Sequence, residues 1–209
     1  MGAPIMEMKG VTKVYRQGKL DVRALDGVDL TVDPGEFTAL CGPSGSGKTT
    51  ALNLVGALDK PTGGTITLEG RRLDTLGRKE LARIRRDRIG FVFQAYNLLP
   101  VLTAFENAEM VMALQGVPEK ERAARVMDLL RQVGLEGMEH RRPAELSGGQ
   151  QQRVAIARAI AANPAIVLAD EPTANVDSAT AGKLLDLMEE LNRNRGVTVL
   201  FSTHDPRVM

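Results

Sequence analysis

The sequence predicts an α/β fold: an open, mainly parallel sheet with helical crossovers and a small antiparallel sheet beside it. Three observations carry this. Short runs rich in apolar and β-branched residues recur at 37–41, 66–68, 89–93, 166–169 and 197–201. Several are almost continuously apolar, as strands covered on both faces must be. Helical patterns separate them, and alternation of strands with helices favours a parallel sheet with right-handed connections.

Taken in chain order, residues 28–32 (Val-Asp-Leu-Thr-Val) alternate apolar with polar, and 61–64 (Pro-Thr-Gly-Gly) form a turn signal before 65–68. Both belong to the antiparallel sheet. Cys41, at the end of the 37–41 strand, reads as a small core hydrophobe. Residues 71–88 are rich in Arg, but Glu69, Asp74, Glu80 and Asp87 are interspersed, so a solvated helix face is expected. From about Gln94 to Ala162 the pattern is mostly helical, which predicts a helical insertion between strands. Within it, Val126, Leu129, Leu130 and Val133 form an apolar stripe ending at Gly134. A second stripe, Leu184, Leu187, Met188 and Leu191, ends at Gly196 as a C-terminal cap. No internal repeat or low-complexity linker divides the chain, so residues 1–209 are expected to form one domain, with 95–162 a helical subdomain inside it.

Composition excludes several roles. The 209 residues carry a formal net charge of +1, 43% hydrophobic and 25% charged residues, and 3% aromatics with no Trp. Such a chain has no bulk attraction for nucleic acid or anionic lipid and few rings for base stacking, so no nucleic-acid partner is expected. One cysteine cannot form an internal disulfide, which fits a reducing compartment. The first residues lack a basic-then-apolar signal pattern. No run approaches the ~20 apolar residues that span a bilayer; the best, 155–169, is broken by Arg158, Asn163 and Pro164. Any membrane role is therefore expected through a partner.

The chemistry lies in three segments. Gly42, Pro43, Ser44, Gly45, Ser46, Gly47, Lys48 and Thr49 fit G-x-x-x-x-G-K-[ST], after an expected strand and before a helical pattern from Thr50. Glycines let successive N–H groups point at one phosphate, and the helix N-terminus adds its dipole. Lys48 would contact the β- and γ-phosphates and the Thr49 hydroxyl would hold Mg²⁺. Next, the apolar run 166–169 ends in Asp170 and Glu171. Asp170 can hold Mg²⁺ through water. Glu171, one step on and pointing to the other face, can polarise a water in line with the γ-phosphate. Finally, Leu146, Ser147, Gly148, Gly149 and Gln150 open a helical pattern through Val154, Ile156 and Ile160. This looks like a second phosphate site at a helix N-terminus. Two such sites for one nucleotide point to a head-to-tail pair of chains.

The pentapeptide at 146–150 resembles the signature of the ABC ATPase family, and by composition it arises by chance in on the order of one chain in several thousand. The resemblance spans essentially the whole chain. It implies a RecA-like P-loop NTPase core with an N-terminal antiparallel β subdomain and an inserted helical subdomain. It also implies hydrolysis of ATP with Mg²⁺ in a nucleotide-sandwiched homodimer. By the same resemblance Tyr15 is the aromatic that stacks on adenine. Gln94 links metal and attacking water to a membrane partner, Asp177 sits in the loop that crosses to the other subunit, and His204 contacts the γ-phosphate. A narrower resemblance to the MacB/LolD type rests on 91–103 with Glu106 and Asn107, and on 142–154. That branch includes macrolide exporters, lipoprotein-releasing systems and mechanotransmission systems. It implies an integral membrane permease docking near 94–106, and a place on the cytoplasmic face of the inner membrane. Ala174 and Val176 stand where the family has Gly and Leu. The sequence stops at Met209, where the resemblance implies further strand and helix, which leaves two readings open, a truncated chain or an incomplete ordered region. Two rival readings stay open: a soluble ABC ATPase outside transport, and a non-hydrolysing nucleotide-sensing regulator.

Overall fold

The computed structural model describes residues 2–18 and 20–204; the expectation about the end at Met209 lies outside them. Strands β1 (Met6–Gln17) and β2 (Leu20–Val32) pair antiparallel, and β1 also pairs antiparallel with β4 (Gly63–Leu68). The short β5 (Arg71–Arg72) completes a sheet of order β2-β1-β4-β5. The second sheet is parallel. Its strands β3 (Phe37–Cys41), β6 (Ile89–Val92), β7 (Ile166–Asp170) and β8 (Thr198–Thr203) lie in the order β3-β8-β7-β6. Helices α1 (Lys48–Val55), α2 (Arg78–Arg88), α3 (Ala104–Leu114), α4 (Glu119–Gln132), α5 (Gly148–Ala161) and α6 (Ser178–Arg195) connect the strands.

The continuous apolar runs are explained by two cores, one on each face of the parallel sheet. Val167, Ala169, Val199 and Phe201 face α3 to α6, while Ile166, Leu168 and Leu200 face α1, α2 and the antiparallel sheet. Successive strand side chains point to opposite faces, so a strand buried on both sides needs every position apolar. The stripes at Leu129–Leu130 and Leu184–Leu191 lie in the first core as expected, and α6 closes at Gly196 in a left-handed conformation.

Three expectations are corrected. Cys41 is exposed rather than part of the core. It is the last residue of β3, which among the described strands pairs only with β8 and is half-covered along its length. Residues 93–103 are not helical. Tyr96 and Asn97 turn the chain at φ +57 and +49, and the fully buried Asn107 amide satisfies the loop by bonding the backbone of Leu99, Leu102 and Thr103. Glu171, third, leaves the end of β7 in left-handed backbone and so departs from strand alternation. The arginines of 71–88 are mostly solvated, with Arg71 paired to Glu80, Arg72 to Asp74, Arg86 to Asp87 and Arg88 to Glu69, but Arg71 and Arg72 lie on β5 rather than on a helix, and Arg85 is half-buried on the Ala57 carbonyl.

Candidate active site

All four parallel strands run the same way, so their C-terminal ends open on one edge of the sheet, where α/β proteins bind ligands. At that edge β3 passes into the loop 42–47 and α1 begins at Lys48. Gly47 sits at φ +92, and a Cβ there would come within 2.5 Å of the Ala24 carbonyl oxygen. Only glycine allows both that conformation and that approach to β2. The Lys48 ammonium folds back across the loop, donating to the carbonyls of Gly42 at 2.7 Å and Pro43 at 3.0 Å. The Ser46 N–H also closes onto the Pro43 carbonyl.

The register between β7 and β8 sets Asp170 opposite Ser202. The Ser202 hydroxyl donates to Asp170 Oδ1 at 2.7 Å and accepts the Glu171 N–H at 2.9 Å. Thr49 Oγ1 donates to the same Asp170 oxygen at 3.0 Å. Strand alternation would send Glu171 to the face opposite Asp170. Instead β7 ends at Asp170 and Glu171 adopts φ +47, a left-handed turn that is strained for a residue with a Cβ. Glu171 therefore lines the cleft that Lys48 enters, while Asp170 stays bonded to Thr49 and Ser202 at its border. Glu171 Oε1 lies 3.8 Å from Lys48 Nζ, with these side chains only 15% and 9% exposed. Glu171 Oε2 lies 2.6 Å from Nδ1 of His204, the carboxylate accepting.

Here lies a cleft of about 460 Å³, walled by Ser44, Gly45 and the run from Gly47 to Thr50, by Gln94, Glu171 and His204, and by Val22 to Ala24 of β2. Tyr15 is not part of that wall. Its hydroxyl donates to Asp59 at 2.9 Å and the Lys13 ammonium lies 4.7 Å from its ring centre. Burial and the neighbouring Asp59 raise its pKa. Burial pushes the Asp59 carboxyl up, but bonds from Lys13, the Lys60 N–H and Tyr15 outweigh it and hold the pKa low.

Ser147, Gly148, Gly149, Gln150 and Asp177 are not in this cleft. They line a second pocket of about 400 Å³. Ser147 caps α5 and exchanges hydrogen bonds with Gln150, the Gln150 N–H donating to Ser147 Oγ and the Ser147 N–H to Gln150 Oε1. The N–H groups of Gly148 and Gly149 are left as first-turn donors with no acceptor inside the helix. Asp177 caps α6. Bonds from the Thr180 hydroxyl and N–H and the Ala179 N–H hold its carboxyl below the ordinary range.

A third depression, about 420 Å³ and mainly apolar, lies between α2, α3, α5 and β6 and includes Leu58, Phe91, Phe93, Val111 and Leu114. Arg158 on its floor is buried, which lowers its pKa, and it bonds the Tyr96 and Asn97 carbonyls.

Sequence reasoning missed Ser202, Asn175 and Arg158. Ser202 carried one faint signal, its place two residues before His204. Asn175 and Arg158 carried none, because their partners are main-chain atoms about 60 to 80 positions away.

The cleft and its border hold the parts a nucleoside triphosphate needs: a phosphate-cradling loop, the Lys48 ammonium with Arg23 on the same wall, the Glu171 carboxylate with Asp170 bonded to Thr49 at its border, and a histidine. Its oxygen donors, Thr49 Oγ1 and Asp170 with Gln94 nearby, suit a hard cation such as Mg²⁺, which is held by few protein ligands together with phosphate oxygens. The chain belongs to the ABC transporter family, whose profile matches residues 25–174, and is an ABC ATPase of the MacB and LolD type. It is 52% identical to the lipoprotein-releasing system ATP-binding protein LolD of Anaeromyxobacter dehalogenans, over all of this chain and 87% of that one. It is 46% identical to the macrolide export ATP-binding/permease protein MacB of Hyphomonas neptunium, of whose length it spans 32%. Among solved structures it resembles the dimeric post-hydrolysis ATP-binding cassette MJ0796 of Methanocaldococcus jannaschii, bound to ADP and Pi. That match has a TM-score of 0.89 at 46% identity and covers 97% of this chain and 89% of the other. No described helix is long and apolar enough to cross a membrane.

Proposed function

We propose that the cleft between Lys48 and His204 hydrolyses ATP to ADP and phosphate, and that the pocket at Ser147 completes the same site on a second copy of the chain. The observation that carries this is the convergence of Lys48, Thr49, Asp170, Glu171 and His204 from three separate strand ends on one cleft and its border. Lys48 exchanges the carbonyls of Gly42 and Pro43 for β- and γ-phosphate oxygens. Thr49 and Asp170, with Gln94, would hold Mg²⁺, which when bound would neutralise charge on the phosphate oxygens. Glu171 accepts the proton of the attacking water, and its bonds to His204 and, through its N–H, to Ser202 fix where it does so. The ring of Tyr15, its hydroxyl fixed by Asp59, serves the adenine.

The signature N-terminus, Gly148 and Gly149 with Ser147 and Gln150, meets the γ-phosphate from the partner chain, and Asp177 lies beside it at the junction. That the signature lies outside the Lys48 cleft supports this division, as do dimeric relatives. The apolar groove at Phe91 and Leu114 receives a helix of a membrane permease on the cytoplasmic face of the membrane. Support comes from the groove's neighbourhood to Gln94 and from relatives described as ATP-binding/permease proteins.

The test is Mg²⁺-dependent phosphate release, with light scattering in ATP and in ADP. The expected outcome is release that needs Mg²⁺ and a dimer favoured by ATP alone. Tight ATP binding without release would favour a nucleotide-sensing regulator. Equal dimerisation in both nucleotides would count against the shared site.

A further inference from the structure

The Lys48 cleft and the Ser147 pocket are joined inside one chain by Tyr96 and Asn175, the second of which also lines the Ser147 pocket. The Asn175 side-chain amide donates to the main-chain carbonyl of Gln94 at 2.7 Å. The Tyr96 hydroxyl donates back to the main-chain carbonyl of Asn175 at 3.2 Å. The same hydroxyl lies against Gly148, where a Cβ would come within 2.8 Å of it, so the signature helix also bears on this point. The arrangement is built rather than casual. Tyr96 and Asn97 both hold left-handed backbone, and the buried Arg158 guanidinium pins their carbonyls at 2.8 and 2.6 Å. Arg158 and Asn97 also line the apolar groove. A single physical line thus runs from the groove, through 96–97, to the segments bearing Gln94 and Asp177. Two strained residues held by a desolvated cation persist only where the surroundings fix them.

We propose that Tyr96 and Asn175 are positioning residues forming a latch, which makes the segment after Gln94 and the segment before Asp177 move as one body. Its catalytic consequence rests on the ATPase reading above; the mechanical coupling does not.

Two arms test it on the full chain. In hydrogen–deuterium exchange, Tyr96→Phe removes one hydroxyl and Asn175→Ala one amide. Each removes about one neutral hydrogen bond, roughly a two- to tenfold change in a local opening equilibrium. Either variant is expected to speed exchange in both 94–97 and 174–177 by that factor, leaving 37–41 and 166–169 unchanged. The double variant should exceed the larger single variant little, since a latch opens once. Acceleration confined to the segment bearing the substitution, or none, overturns the proposal. If Asn175→Ala loosens the whole chain, Tyr96→Phe alone decides, being the smaller change. In the second arm, Tyr96→Phe is expected to lower kcat two- to tenfold with KM for ATP within about twofold, as misplacement of Gln94 without loss of binding requires. Unchanged kcat, or a parallel rise in KM, overturns it. Wild-type chain and Glu171→Gln run alongside: if the wild type releases no phosphate, the ATPase reading fails while the exchange arm still judges the latch.

Discussion

Glu171→Gln keeps the shape of Glu171 while removing one negative charge and one proton acceptor. The main-chain bond from Glu171 to Ser202 does not involve the side chain and survives. Loss of a general base slows the chemical step by ~10²–10⁴, roughly 3–5 kcal/mol on the barrier. Binding should move the other way. The Glu171 carboxylate lies 3.8 Å from the Lys48 ammonium, an attraction of roughly 1 kcal/mol in water and roughly 4 kcal/mol at an effective dielectric of ~20. Much of this is offset by the cost of holding both charges away from solvent. A residue of about 1 kcal/mol, freed for the triphosphate, is about a fivefold gain in ATP affinity. Single-turnover phosphate release, equilibrium Mg-ATP binding and size-exclusion chromatography measure the three quantities. The expected result is release slowed at least ~100-fold, affinity equal or severalfold tighter, and accumulation as a dimer in Mg-ATP. Undiminished turnover would remove Glu171 from the role of base. A marked loss of affinity would refute the electrostatic reasoning, and slow turnover without a dimer would refute the sandwich.

Lys48→Ala should fail one step earlier: loss of a charged donor costs roughly 1.5–3 kcal/mol of binding, about tenfold or more in ATP affinity by isothermal titration. Leu184, fully buried in the core beneath α6, should cost about 2–5 kcal/mol on truncation to Ala, read from urea unfolding. Asp59 is held below the ordinary carboxylate range by Lys13, the Lys60 N–H and Tyr15 against the pull of burial. A depressed folded pKa adds stability above the unfolded value near ~4 and loses it as pH falls through the folded value. The melting-temperature gap between wild type and Asp59→Asn should therefore be full at neutral pH and shrink in acid; a gap that grows in acid would reverse the assignment.

The sequence by itself determined the kinds of element and the kinds of chemistry. The run Ile166 to Ala169 is apolar at every position because its alternate residues enter two different cores, and that demand is written locally. The phosphate loop was legible for the same reason. Its glycines, Lys48 and Thr49 act within one strand–turn–helix, so spacing along the chain is spacing in the site. The signature could be read as a helix cap because Ser147 and Gln150 cap locally.

Only the tertiary structure decided which of these groups meet. The strand order β3-β8-β7-β6 sets Phe37 beside Val199, and Asp170 beside Ser202. No local pattern encodes pairings across such separations, since they follow from how the whole chain closes. The exposure of Cys41 follows from its place at the end of a half-covered strand. The left-handed backbone at Glu171 brings its carboxylate to Lys48 and His204. The bond between Asn175 and Gln94 spans 81 residues, and it exists because the loops after β6 and β7, which pair in parallel, leave the same edge of the sheet. Residue type and spacing supply the reactive groups; the packing of two cores on one sheet fixes the distances at which they act.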